Sequence, residues 1–156
     1  INTNGNYIGW TDSNMPNLTH HFTEMLEKLK NYDVVLLSRY VKGGGDQRSK
    51  MRILSSKMIN SFCRLILGND IKDYTSSIFL MHRNVLKCGV PIAYGHGEFF
   101  IELLYKIKKN GMTIYELPYI QPPDAEGSKT ASSILRFFTL GLGYLTRIMI
   151  ARFRKN

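Results

Sequence analysis

Between Asp33 and Ser56 the chain changes character three times, and no other stretch constrains its fold as much. The apolar run Val34-Val35-Leu36-Leu37 stops at Ser38-Arg39-Tyr40 and gives way to Gly43-Gly44-Gly45. A basic helix then opens with Arg48, Lys50 and Arg52. A short continuous apolar run of this kind is what a strand buried on both faces requires, as in the parallel sheets of α/β proteins. Residues at the ends of such strands sit where α/β proteins bind ligands. Glycines let backbone approach an anion closely, and arginine grips phosphate with a planar fork of donors. The pattern therefore points to a phosphate-handling site; the alternative is a surface loop flanked by solvated cations.

The rest of the chain agrees with an α/β domain. Tyr7–Trp10 reads as a short strand, and Pro16–Lys30 as a helix with Leu18, Phe22, Met25, Leu26 and Leu29 at helical spacing. Lys50–Leu67 places Met51, Leu54, Met58, Ile59, Phe62, Leu65 and Ile66 on what the periodicity predicts to be the core face, with Gly68 closing the helix. A strand within Asp73–Leu80, a short helix over Arg83–Cys88, a helix over Glu98–Asn110 and a strand over Met112–Pro118 follow. Gln121–Lys129 is a Pro/Gly-rich loop, and Ala131–Arg154 a long apolar and basic helix. Strands alternating with helices predict a mostly parallel sheet with flanking helices.

At 156 residues the chain has the length of about one domain. It opens at Ile1-Asn2-Thr3 with no initiator Met and no signal peptide, and is expected to be the later part of a longer polypeptide. Cys63 and Cys88 lack metal-ligand spacing and read as reduced core thiols, as on a cytosolic face. The 21 basic residues against 12 acidic ones give a net charge of +9, which attracts anions. No nucleic-acid-binding signature accompanies the excess, and its cations gather at Lys42–Lys57 and at the C-terminus. Phosphate ligands and a membrane surface are favoured over nucleic acid.

Asp12-Ser13-Asn14 directly follows the first strand. Two oxygen-bearing side chains two residues apart can share a hard cation such as Mg²⁺ or Mn²⁺; an Asx turn ahead of a helix uses the same residues.

Taken in order, these segments resemble the polyprenyl-phosphate glycosyltransferases of the family-2 inverting type, the dolichol-phosphate mannose synthase group. The resemblance rests on Asp12-Ser13-Asn14, Ser38-Arg39-Tyr40, Gly43-Gly44-Gly45, Arg52 with Ser56, Asp73-Tyr74-Thr75-Ser76, Phe99–Tyr105, Glu116-Leu117-Pro118 and Glu126-Gly127-Ser128-Lys129. It implies a partial GT-A-like fold (the nucleotide-diphospho-sugar transferase type), with residues 1–130 the C-terminal portion of a catalytic domain. It further implies metal-dependent, inverting transfer of a hexose from a GDP- or UDP-sugar to a dolichyl or undecaprenyl phosphate. In that scheme Asp12 and Asn14 hold Mg²⁺ or Mn²⁺, with Asp12 and Arg39 catalytic. Arg39, Arg52, Ser56, Ser128 and Lys129 hold the lipid phosphate, and Asp73, Thr75, Ser76 and Glu102 support the site. Glu102 sits on an otherwise apolar helix face, either facing solvent or poised at the cleft; the resemblance favours the cleft.

The chain departs from that family's pattern in three places. Asn14 replaces the second acid of the metal pair. Asp124-Ala125-Glu126 stands where an arginine precedes Ser128. The opening half-sheet, with its nucleotide-binding strand end, is missing. A non-catalytic membrane-associated remnant or subunit, or a transferase with a non-lipid acceptor, therefore remain as alternatives.

Residues 131–156 carry Arg136, Arg147, Arg152, Arg154 and Lys155 and no acid. Their longest uncharged piece, Phe137–Thr146, falls short of the roughly 20 apolar residues that span a bilayer. Arginines at both ends of an apolar middle suit an amphipathic helix lying in the interface of an anionic cytoplasmic leaflet, although a core-packing helix would look similar. The expected protein is membrane-associated at the cytoplasmic face. Its partners would be a nucleotide sugar, a polyprenyl phosphate and the membrane surface, with room for a homo-oligomer or a separate membrane subunit.

Overall fold

The structure is a computed structural model and describes residues 4–11, 18–89, 97–123 and 134–154, with the backbone alone for Thr19 and 134–140. Strand β1 (Tyr7–Trp10) leads to helix α1 (Thr19–Lys28), strand β2 (Val34–Ser38), the two-residue β3 (Gly45–Asp46) and helix α2 (Lys50–Leu67). Strand β4 (Phe79–His82) runs into a 3₁₀ turn over Arg83–Cys88. Helix α3 (Phe99–Lys109), β5 (Ile114–Pro118), β6 (Ile120–Gln121) and α4 (Ile134–Phe153) complete the order.

The main sheet has the order β1-β4-β2-β5. β2 runs parallel to β5, from Val34 opposite Ile114 to Ser38 opposite Pro118. β4 lies antiparallel to both β1 and β2. The class is α/β as expected, but the sheet is mixed rather than mostly parallel. A run such as Phe79-Leu80-Met81 is equally apolar whichever way it points, so periodicity does not encode its direction. The short β3 and β6 pair in parallel as a separate ribbon beyond the end of β2.

Alternation along β2 divides the core. Val34 and Leu36 face one side of the sheet, with Phe79, Met81 and the inner faces of α2, α3 and α4. Val35 and Leu37 face the other, with Leu80, Leu117 and, from α1, Met25 and Leu29. All five β2 residues are buried, as a strand covered by helices on both faces demands. The two thiols are free and buried.

Helix α2 departs most from its periodicity. Ser56, Asn60, Cys63 and Leu67 point inward, while Met51, Leu54, Met58 and Leu65 are exposed. Of the predicted core face only Ile59, Phe62 and Ile66 pack against the core, from its margin. The physical reason lies in what α2 meets: a turn at Tyr74-Thr75 whose polar groups need the partners that Ser56 and Asn60 supply.

Helix α4 packs on α3 and α2. Its inner face buries Arg147, Ile148 and Ala151, while Leu142, Leu145, Met149 and Phe153 remain exposed. Among the described residues, no helix is long and apolar enough to cross a membrane.

Candidate functional site

Where β2 ends, the chain turns sharply. Gly43 adopts φ +90°, and a Cβ on Gly44 would lie 2.6 Å from the Ser38 carbonyl oxygen and 2.8 Å from that of Arg39. Only glycine lets the loop fold back this closely over the strand end. The turn brings Asp46 toward Arg39 and delivers the chain to α2.

Arg39 is the centre of the arrangement. Its Nε and Nη2 donate to the two Asp73 carboxylate oxygens at 2.8 and 2.7 Å, and its backbone N–H donates to Asp73 at 3.0 Å. Nη2 also donates to Thr75 Oγ1 at 2.7 Å, and Nη1 lies 3.7 Å from Asp46. Both partners of the Arg39–Asp73 pair are buried. Burial opposes the charge on Arg39, but the Asp73 hydrogen bonds and charge outweigh it and hold the guanidinium above its ordinary pKa. Burial likewise works against the Asp46 carboxylate, yet the fork from Arg48, at 2.9 and 2.6 Å, and the nearby Arg39 bring its pKa below the ordinary value.

Thr75 joins this pair to α2. Its hydroxyl accepts from Asn60 Nδ2 at 2.8 Å and lies 3.2 Å from Ser56 Oγ, while Asn60 Oδ1 accepts the Tyr74 N–H at 2.6 Å. Glu116 joins it to β5. That carboxylate accepts from Ser38 Oγ at 2.7 Å and from the backbone N–H groups of Lys72 and Asp73 at 2.7 and 3.0 Å. Burial raises the Glu116 carboxyl above its usual value, and these donors offset the rise only in part. Burial also raises the Tyr40 phenol, against the nearby Arg39 charge. Tyr40 Oη, buried beside Ser56, makes no well-formed hydrogen bond among the described residues. Ser76 accepts the Ile78 N–H at 3.4 Å, closing the turn, and Ser77 follows at φ +59°.

The structure thus gathers Arg39, Ser56, Asp73 and Thr75 at one strand end, with Arg52 one helical turn before Ser56 and Ser76 in the adjoining turn. It also revises three expectations. Arg39 is committed to Asp73 and Thr75 rather than presented to a ligand. The Ser56 hydroxyl faces inward to Thr75. Glu102 is neither in solvent nor at the cleft: it is fully buried under α4, where Arg147, Arg154 and Lys106 approach its oxygens at 2.9, 2.7 and 3.3 Å. A carboxylate on an apolar helix reads alike in sequence whether it meets a ligand or a cation from a distant helix. Asp46, Asn60 and Glu116 belong to the network but were not among the expected site residues. Of these, Glu116 carried a signal in its Glu-Leu-Pro setting.

Asp12, Asn14, Ser128 and Lys129 lie outside the described residues. Among the described residues, no three His, Cys, Asp or Glu side chains gather as a metal site. The carboxylates Asp46 and Asp73 at this strand end are taken up by Arg48 and Arg39, while the expected cation ligands are Asp12 and Asn14. Those two oxygen donors are chemically suited to a hard cation.

No protein-family profile matches the sequence. Among solved structures, the chain is similar to glucosyl-3-phosphoglycerate synthase from Mycobacterium tuberculosis in complex with UDP, at TM-score 0.63 and 16% identity. That match covers 99% of this chain and 52% of the other. The same enzyme in complex with phosphoglyceric acid matches at TM-score 0.63 and 17% identity, over 99% and 52% of the two chains. A structure described only as a mycobacterial protein matches at 0.67 and 14%, over 99% and 49%. The chain therefore spans about half the length of the solved structures it matches. At such identities the likeness is one of fold: a mixed α/β sheet with flanking helices in a GT-A-like arrangement.

Proposed function

We propose that this chain forms the acceptor-side portion of a glycosyltransferase that moves a hexose from a GDP- or UDP-sugar to a polyprenyl phosphate at the cytoplasmic membrane face. The observation that carries the transferase part is the fold match along 99% of the chain to an enzyme solved with UDP and with phosphoglyceric acid. The lipid acceptor is supported by the ordered motifs and by the basic, outwardly apolar α4.

In the proposed reaction an oxygen of the acceptor phosphate bonds to the anomeric carbon from the face opposite the leaving group. The bond from that carbon to the nucleoside diphosphate breaks, and the diphosphate departs with the electron pair. A phosphate acceptor is already ionised near neutral pH, so no strong general base is required. Arg52 holds the acceptor phosphate by charge-assisted hydrogen bonds, with Ser128 and Lys129 from the following loop. Arg39, Asp73, Thr75, Ser76 and Glu116 act as positioning residues that fix the strand end against α2 and β5. Asp12 with Asn14 would hold Mg²⁺ or Mn²⁺, and a cation bound there would supply positive charge against the negative charge developing on the diphosphate.

A transfer assay pairing UDP- and GDP-sugars with a short polyprenyl phosphate tests the proposal. Arg52→Ala is expected to raise the acceptor KM far more than the donor KM, since a charge-assisted contact contributes about 1.5–3 kcal/mol. Equal effects on both substrates would remove Arg52 from the acceptor site. Asp12→Ala is expected to abolish activity together with divalent-ion stimulation; stimulation that persists in the variant places the cation elsewhere.

The phosphoglyceric acid complex favours a second reading, in which the acceptor is a small soluble phosphate ester. Transfer to phosphoglycerate but not to the lipid would select it. Asn14, in place of the second acid, favours the non-catalytic reading, and absence of transfer from every donor would select that one.

A further inference from the structure

Helix α2 is polar on its inner side and apolar on its outer side. At 100° per residue, Ser56, Asn60, Cys63 and Leu67 occupy one face and Met51, Leu54, Met58 and Leu65 the opposite face. The outer four are 57–81% exposed. α4 repeats the arrangement, with Leu142, Leu145, Met149 and Phe153 opposite the buried Ile148 and Ala151. The two helices pack against one another. Scattered apolar residues on a surface need no explanation, but apolar stripes on two helices in contact point to a surface that something covers.

Charge identifies what covers it. Neither α2 nor α4 contains a single Asp or Glu. The flank of the α2 stripe carries Lys50, Lys57 and Arg64, and the last turn of α4 brings Arg152 to the surface. Protein interfaces are depleted in lysine near their apolar centre. An apolar stripe edged by cations alone matches an anionic bilayer surface, where acyl chains meet acidic headgroups. Flexible methionines suit a fluid partner. No helix among the described residues is long and apolar enough to cross a membrane, so each helix would lie in the interface plane.

We infer that α2 and α4 together form a two-helix docking face for an anionic lipid surface. This extends the membrane part of the preceding proposal from α4 to α2, the helix that carries Arg52. The docking itself depends only on exposure and charge, so a failed transfer assay leaves it standing.

The test is co-sedimentation of the 156-residue chain with vesicles of phosphatidylcholine alone and of phosphatidylcholine with phosphatidylserine. The parent chain is expected to bind the mixed vesicles, with binding that weakens as salt rises. Replacing Met51, Leu54, Met58 and Leu65 by Ser is expected to weaken binding at least about tenfold while α4 is intact. Because these side chains are exposed, the thermal unfolding curve is expected to stay as in the parent. Replacing Lys50, Lys57 and Arg64 by Gln is expected to weaken binding to the mixed vesicles roughly a hundredfold at low salt and to flatten its salt dependence. Parent-level binding by the α2 serine variant overturns the inference, as does equal binding to neutral and anionic vesicles. A concentration-dependent dimer that the serine variant dissolves, with vesicle binding unchanged, also overturns it and makes the face a contact between copies.

Discussion

Asp73→Ala is expected to lower the unfolding free energy by about 3–5 kcal/mol, the range for removing one partner of a buried ion pair. The size follows from what is left behind. Asp73 is fully buried and Arg39 nearly so. Without the carboxylate, the guanidinium keeps, among the described residues, Thr75 at 2.7 Å, the more distant Asp46 at 3.7 Å and the Tyr40 ring, 5.1 Å away at its centroid. The turn also loses its brace, since Asp73 accepts the backbone N–H groups of Arg39 and Thr75 at 3.0 and 3.1 Å. Urea unfolding of the variant beside Arg39→Ala and the double variant gives the coupling directly. A loss below about 1 kcal/mol, the value for solvated surface pairs, would show that the pair is open to water. Replacing both residues by apolar ones of similar volume is expected to cost far less than either single change, because no buried charge is then stranded.

The second large effect is expected at the α3–α4 contact. Glu102→Ala removes the carboxylate that faces Lys106 and Arg147, both buried, and is expected to cost about 3–5 kcal/mol. Arg154, more exposed, contributes less because water screens it. The loss has a location as well as a size. Glu102 takes cations from two points on the C-terminal segment, at 2.9 Å from Arg147 and 2.7 Å from Arg154, so α4 is expected to loosen before the sheet does. Hydrogen exchange resolved along the chain checks this: amides of residues 141–153 should exchange faster in the variant while those of β2 and β5 keep their protection. Unchanged exchange in α4 would show that Ile148 and Ala151 hold the helix without the ion pairs. Glu102→Gln keeps the shape and removes the charge, and so separates packing from electrostatics.

Much of the fold was legible locally. The aliphatic run of β2, the spacing of Leu18, Met25 and Leu29 on α1, the dense apolar α3 and the glycines after the helices each carry a local physical cause, so the α/β class followed from the sequence. Strand direction did not. β4 is inserted antiparallel between β1 and β2, and a run buried on both faces reads the same in either direction.

The candidate site divides in the same way. Its residue types and their clustering at a strand end were visible in Ser38-Arg39-Tyr40, Asp73–Ser76 and Arg52 with Ser56. Their commitments were not, because a hydrogen bond between residues tens of positions apart has no local signature. Arg39 reads in sequence as a ligand for phosphate, while in the structure its Nε and Nη2 donate to Asp73, 34 residues on. Glu102 read as a cleft residue until Arg147, 45 residues on, covered it. Helix α2 is the sharpest case. Periodicity assigned its methionines and leucines to the core because apolar burial is the usual driving force. The tertiary structure turned them outward, because Ser56 and Asn60 satisfy buried polar groups of the Tyr74-Thr75 turn, and an unpaired buried polar group costs about as much as a buried aliphatic side chain contributes. Composition and spacing thus determined which elements form and which chemistry gathers near the end of β2. Only the packing of distant segments decided which charges are spent on one another and which apolar face is left exposed.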